Sequence, residues 1–179
     1  MSIIYADRFG DPSIPATDTL ALPYEVRCRR RQHGLRLPSG EEFGYHLPPG
    51  ARLRNGDKLV ATDGVRERVV AIVAAREDLL EVRAGDALQL ARAAYHLGNR
   101  HVALEVDSDD KGPFLRMQPD HVLEDMLLGL GCLVQSLTAP FQPEGGAYEG
   151  HGHSHVADHH GEDSHGHAHK HGPSIHEFR

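Results

Sequence analysis

Cysteine is scarce in this chain of 179 residues: Cys28 and Cys132 are the only two. They form no C-x-x-C pair and no disulfide framework. Long apolar runs are missing as well. The longest, VVAIVAA at Val69–Ala75, is far short of the roughly 20 residues that cross a bilayer. The opening MSIIYADRFG has neither the charged start nor the apolar core of a secretory signal. No membrane association is expected, and a reducing cytoplasmic home is. Positive charge is in deficit: 19 Lys and Arg against 26 Asp and Glu leave a net charge of -7, which argues against a dedicated nucleic-acid binder. The one dense basic patch is RCRRR at Arg27–Arg31. Such runs can take phosphate or an acidic partner, but on an edge strand they more often keep the edge soluble, and that reading is favoured. Catalytic signatures are also lacking: there is no G-x-S-x-G, no P-loop and no H-E-x-x-H. With 26 acidic residues, chance carboxylate pairs carry no weight. The expectation is that the chain is not an enzyme.

What the chain has in abundance is histidine, 15 in all. Nine of these fall in HGHSHVADHHGEDSHGHAHKHG, from His151 to Gly172. His151, His153 and His155 form one alternating run and His165, His167, His169 and His171 a second, with the pair His159–His160 between them. From Gly145 onward there is almost nothing apolar to offset the entropy of ordering the backbone, so the segment is expected to be disordered. A flexible chain with alternate imidazoles can wrap two to four neutral rings around one ion. Imidazole suits zinc, copper, iron and nickel. An affinity tag is an uninterrupted run, whereas this one is punctuated by Asp158, Glu162 and Asp163. The tract reads as a metal binder.

The remainder divides by rhythm. Up to about Arg76, short strand-like stretches alternate with turns such as Asn55–Asp57 and Asp63–Gly64, and YEVRCR alternates with period two. That density of strands predicts a small all-β sandwich or barrel. After Ala75, DLLEVRA reads as a strand. Asp86 and Gln89 then have the spacing of a capping box that opens a helix. Leu88, Ala91 and Tyr95, together with Leu90, Ala94 and Leu97, give this helix a wide apolar face ending at Gly98–Asn99. HVALEV and PFLRM follow as strands. Asp120 caps a helix carrying Leu123, Met126, Leu127 and Leu130, and CLVQSLTA is a last strand. The order βαββαβ is the ferredoxin-like one. The fold class is therefore α+β: a β domain over residues 1–76, a ferredoxin-like domain over 77–143, a hinge near Arg76–Asp78 and a His-rich tail over 144–179.

Five histidines lie outside the tail: His33, His46, His96, His101 and His121. GNRH places His101 just past a helix end, at the expected first position of a strand. His96 lies five residues earlier and need not face the same way. His121 follows Asp120 in the first turn of the second helix. Spacing alone assembles no site from them.

The stretches RLRNGDKLVATDG, AREDLLEVRAGDALQLARAAYHLGNRHVALEV, PDHVLEDMLLGLGCLV and APFQPEGGAYEGHGHSH together resemble the UreE family of urease accessory nickel chaperones. AYHLGNRH and DHVLEDML are the most specific. The resemblance implies a β domain, a ferredoxin-like metal-binding domain and a His-rich tail. It implies a cytoplasmic homodimer that gives Ni2+ to the urease apoprotein, in concert with other urease accessory proteins. It makes His101 the central ligand, shared across the dimer, and His121 a peripheral ligand of the kind some members carry. Members with a peripheral site often have another His just before D-H-V-L, where this chain has Gln118 and Pro119. Zn2+ and Cu2+ are alternative occupants of such imidazole sets. The competing expectation is a nickel or zinc store that delivers to no partner.

Overall fold

The computed structural model describes residues 3–63 and 66–145. In chain order the elements are β1 (Ile4–Phe9), β2 (Asp18–Leu22), the helical turn α1 (Tyr24–Arg27), β3 (Arg31–Arg36), β4 (Glu42–His46), β5 (Lys58–Asp63) and β6 (Arg66–Ala74). There follow β7 (Arg76–Arg83), α2 (Ala87–Gly98), β8 (Glu105–Asp109), β9 (Gly112–Met117), α3 (His121–Gly129) and β10 (Leu133–Pro140).

The first six strands make one mixed sheet in the order β2-β6-β5-β1-β4-β3. β5 and β6 form an antiparallel hairpin, whereas β1 runs parallel to β4 and β2 parallel to β6. Gly56 supplies the left-handed residue (φ +93°) that the tight turn before β5 requires. One face of the sheet is apolar. Ile4, Ala6, Phe43, Tyr45, Leu59, Ala61, Val70 and Ile72 pack in a single cluster with Leu20 and Leu22 of the edge strand β2. Leu35, on the opposite edge strand β3, packs against the same cluster. The sheet is therefore bent around its core, and each large aliphatic buried there contributes about 1.5–3 kcal/mol.

The stretch Tyr24–Arg29, which alternates like a strand, departs from expectation: its first four residues are a helical turn. Pro23 enters with φ -60°, and the Glu77 carboxylate accepts the Tyr24 N–H at 2.6 Å. The Tyr45 phenol, whose pKa burial pushes up to about 12, donates to the Val26 carbonyl at 2.7 Å and pins the turn to the core. The reversal carries Arg27 inward, to 1% exposure. Its guanidinium donates to the carbonyls of Leu22 and Phe141 and, at 2.8 Å, to Gln142 Oε1. Burial pulls the Arg27 pKa down, opposed first by the nearby Glu77 charge.

β7–β10 form a second, wholly antiparallel sheet in the order β10-β7-β9-β8, the ferredoxin-like arrangement expected from βαββαβ. The helices cover one face. Leu80 and Val82 of β7 and Leu115 and Met117 of β9 meet Leu90, Ala93 and Leu97 of α2 and Leu123 and Leu127 of α3. The other face holds a charged ladder. Glu81, 3% exposed, pairs with Arg83 at 2.7 Å and Arg116 at 2.8 Å. Both guanidiniums lie over the Phe114 ring, 4.9 and 4.2 Å from its centroid. Arg76–Asp78, expected as a hinge, are instead the first residues of β7, paired with Pro140, Ala139 and Thr138. Ala75 alone separates the two sheets, and Tyr24 packs with Leu79, Ala139 and Phe141 beside it.

Candidate metal site

His101 owes its position to how α2 begins and ends. At the start, the Asp86 carboxylate accepts the Gln89 N–H at 2.8 Å, and Gln89 Oε1 reaches back to the Gly85 N–H at 2.9 Å. This resembles the expected capping box with its return bond shifted one residue outward. Gln89 Nε2 also donates to the Leu130 carbonyl at 2.9 Å, tying the start of α2 to the end of α3. Leu90, Ala93 and Leu97 anchor the helix to the sheet.

At the far end the chain tightens. Asn99 N–H bonds the Tyr95 carbonyl at 3.0 Å, Arg100 N–H that of Leu97 at 3.0 Å and His101 N–H that of Gly98 at 2.9 Å. His101 ends this turn with φ +56°, the one non-glycine residue in the left-handed region among the described residues. The strand expected to start at His101 starts at Glu105, so His101 belongs to the turn that closes the helix. A left-handed L-residue costs about 1–2 kcal/mol, and asparagine or glycine would sit there more cheaply. Strain kept at an exposed histidine is the kind of outlier that marks a working residue. The imidazole is exposed and makes no hydrogen bond with a described residue.

The other described histidines have their own settings. His96 is half-buried in the last turn of α2, edge-on to Tyr95 with ring centroids 5.5 Å apart, and its carbonyl accepts from Arg100. His121 is the exposed first residue of α3, whose N-terminus is capped by Asp120 through Val122 N–H at 2.9 Å and Leu123 N–H at 3.0 Å. Gln118 points away toward the sheet junction, with Nε2 3.4 Å from Glu77 Oε2. Among the described residues, no three His, Cys, Asp or Glu side chains come together as a metal-binding group. Cys132 is buried under the helices, and burial raises its thiol pKa, so it behaves there as a small hydrophobe. His151, His153, His155, His159, His160, His165, His167, His169 and His171 all lie outside the described residues.

The wide apolar face expected of α2 is only partly covered. Leu88 and Tyr95, seven residues apart on one side, are 62% and 66% exposed. Two large apolar side chains on one face of a helix that leads to an exposed histidine are what a self-complementary contact uses. Sequence reasoning counted Arg27, buried at the junction, with the exposed basic run, and missed Glu81 in the charged ladder altogether. No periodic signal announces either, because each is buried by partners distant in sequence.

The family description UreE urease accessory protein, N-terminal domain, matches residues 5–75, and the description UreE urease accessory protein, C-terminal domain, matches residues 77–171. The chain is 50% identical over 172 residues to the urease accessory protein UreE of Dechloromonas aromatica (strain RCB), covering 92% of this chain and 93% of that protein. It is 50% identical over 140 residues to the protein of the same name from Burkholderia ambifaria, covering 78% of this chain and 65% of that one. It is 46% identical over 151 residues to the corresponding Burkholderia pseudomallei (strain 1710b) protein, covering 84% of this chain and 70% of that one.

Proposed function

Because the chain belongs to the UreE family of urease accessory proteins, we propose that it is the nickel carrier of urease assembly, presenting Ni2+ on a site shared by two copies of His101. The observation that carries this reading is the exposed, strained His101, which joins no group of three or more ligand side chains among the described residues. Nickel takes four to six ligands, so one imidazole per chain is too few. A two-fold axis would set the same turn opposite itself and double the count. The exposed Leu88 and Tyr95 on the helix leading into that turn supply apolar area for such a contact.

A shared pair of imidazoles leaves coordination positions open, and an open shell exchanges its ion more readily than a closed cage. That is the property a donor needs. The metal is cargo here, and the protein is not itself a catalyst. Its working partners are the urease apoprotein and the other urease accessory proteins, in the cytoplasm. Among the described residues no helix is long and apolar enough to cross a membrane. The histidine tract from His151 to His171 serves as the reservoir that gathers ions for the core site. His121 contributes a weaker, peripheral site.

The tract's composition favours a second reading, a nickel or zinc store without delivery. Urease activation at limiting nickel separates the two. A carrier activates apo-urease faster than the same total nickel supplied free, whereas a store slows activation by withholding the ion.

A further inference from the structure

Between Glu25 and Glu41 the sequence has no acidic residue and five arginines: Arg27, Arg29, Arg30, Arg31 and Arg36. Arg27 is occupied at the junction between the sheets. The other four are exposed, on or just before β3, the outermost strand of its sheet, which pairs with β4 alone. Their contacts are neutral. Arg29 lies 3.4 Å from Gln32 Oε1 and Arg36 lies 3.3 Å from the Gly40 carbonyl. Arg30 donates to the Leu47 carbonyl at 2.9 Å and meets His46 Nε2 at 3.1 Å.

Among the described residues none of the four has a carboxylate partner, whereas Arg8, Arg68, Arg83 and Arg116 each have at least one. Acids are not in short supply, since they outnumber bases in the chain. The clustered charge is felt by its neighbour. His46 is held below the usual imidazole range, by desolvation first and then by Arg31 and Arg30.

Protection of a sheet edge accounts for a charge or two, and this edge already has another device. The register slips between the pairs Gln32–Tyr45 and Leu35–Phe43, leaving His33 and Gly34 as a bulge, with Gly34 at φ +69°. The bulge is held in place: the Tyr5 hydroxyl bonds His33 Nδ1 at 2.7 Å, and a Cβ on Gly44 would meet the Tyr5 ring at 2.7 Å. An edge so interrupted already resists strand addition, and four unneutralised guanidiniums exceed what its protection requires.

We propose that Arg29, Arg30, Arg31 and Arg36 form a docking surface for an acidic segment of a partner protein, held by carboxylate–guanidinium pairs. Guanidinium forks bind carboxylates in pairs and favour this occupant. The net charge of -7 repels long polyanions such as nucleic acid or an anionic bilayer. A short acidic segment, in contrast, responds to the field within about 8–10 Å, the screening length at cellular salt. The surface belongs to the N-terminal sheet, and it stands or falls independently of the nickel site.

The test uses the full chain and a fluorescein-labelled 12-residue peptide of alternating Asp and Glu, read by anisotropy, with a Gln and Asn peptide as control. The acidic peptide should bind and the control should not, and affinity should fall at least about tenfold between low and high salt. The triple variant Arg29→Gln, Arg31→Gln and Arg36→Gln should lose at least about tenfold in affinity, while lysine at the same positions should recover part of it. The double variant Arg8→Gln and Arg76→Gln, at exposed arginines elsewhere, should bind like the parent. Nickel stoichiometry should be unchanged in all of them. Equal loss in the two glutamine sets would mean a general charge effect and overturn the proposal. So would tighter binding to phosphatidylserine vesicles or to a single-stranded oligonucleotide than to the peptide. A change of mass in sedimentation confined to the triple variant would make the surface a contact between copies, which also overturns it.

Discussion

The Glu144 N–H donates to the Leu104 carbonyl at 2.8 Å, so the chain that leaves β10 lies against the segment joining His101 to β8. Gln142, two residues earlier, holds the Glu105 carboxylate through its N–H at 2.7 Å and accepts from Arg27 through its amide oxygen. The chain just after the His101 turn is therefore held by the same short segment that Arg27 grips. A metal held at His101 would stand beside a fixed surface, which precise transfer to a docked partner requires.

His101→Ala should abolish the core nickel site and leave the fold and the dimer intact, because the side chain is exposed and makes no hydrogen bond with a described residue. Urease activation at limiting nickel should fall sharply, although the tail still binds ions. His101→Gly should lose nickel equally but melt higher than His101→Ala, by the equivalent of about 1 kcal/mol, since glycine relieves the left-handed strain. His121→Ala should stay close to the parent. Thermal melts, calorimetric nickel titration and an activation assay together check this. Full activation by His101→Ala would end the shared-site mechanism.

Cutting the chain after Tyr148 should remove capacity while largely sparing delivery. Two copies lose about 20 imidazoles, enough for about five or six ions at three to four ligands each, and about one ion per dimer should remain. In the full chain, bound nickel should fall steeply from about pH 7 to pH 5, because imidazole binds metal only when neutral and its ordinary pKa is about 6.5. Nickel retained by the tail at pH 5 would show that carboxylates or amides are the ligands there.

Arg27→Met should destabilise the protein by about 3 kcal/mol or more. It removes the donor for two buried carbonyls, those of Leu22 and Phe141, and for the Gln142 amide. Hydrogen exchange should quicken at Phe141–Glu144 and in the His101–Leu104 segment before it changes in α3. Uniform acceleration would mean that Arg27 supports the whole fold and not the junction.

Glu81 makes stability sensitive to acid. Burial works to raise its pKa, but the hydrogen bonds and charges of Arg83 and Arg116 prevail and hold it below the ordinary 4.5. A carboxylate with a depressed folded pKa contributes stability above its unfolded value, which is lost as pH falls through the folded one. Urea midpoints should therefore drop below about pH 4.5, and Glu81→Gln should flatten that slope. At neutral pH the variant should cost about 1–3 kcal/mol, because Arg83 keeps Asp109 and Arg116 keeps Glu105 while both lose the shared charge of Glu81.

Much of the ferredoxin-like half could be read from the chain alone. Its helix starts rest on Asp86 and Asp120 bonding N–H groups two or three residues ahead, and its strands alternate within a few residues. Such interactions close over short spans, so local sequence determines them, as it does the density of histidine in the tail and the position of His101 after a helix end. Tertiary structure alone decided the rest. Tyr24–Arg27 turns into a helix because Glu77, far along the chain, caps it. Leu88 and Leu90 look alike in sequence, yet only Leu90 meets the sheet. Arg27 and Glu81 look like ordinary surface charges until residues 115 and 35 positions away arrive to bury and pair them. Burial of a charge depends on what the rest of the fold brings to it, and no window of local sequence contains that partner.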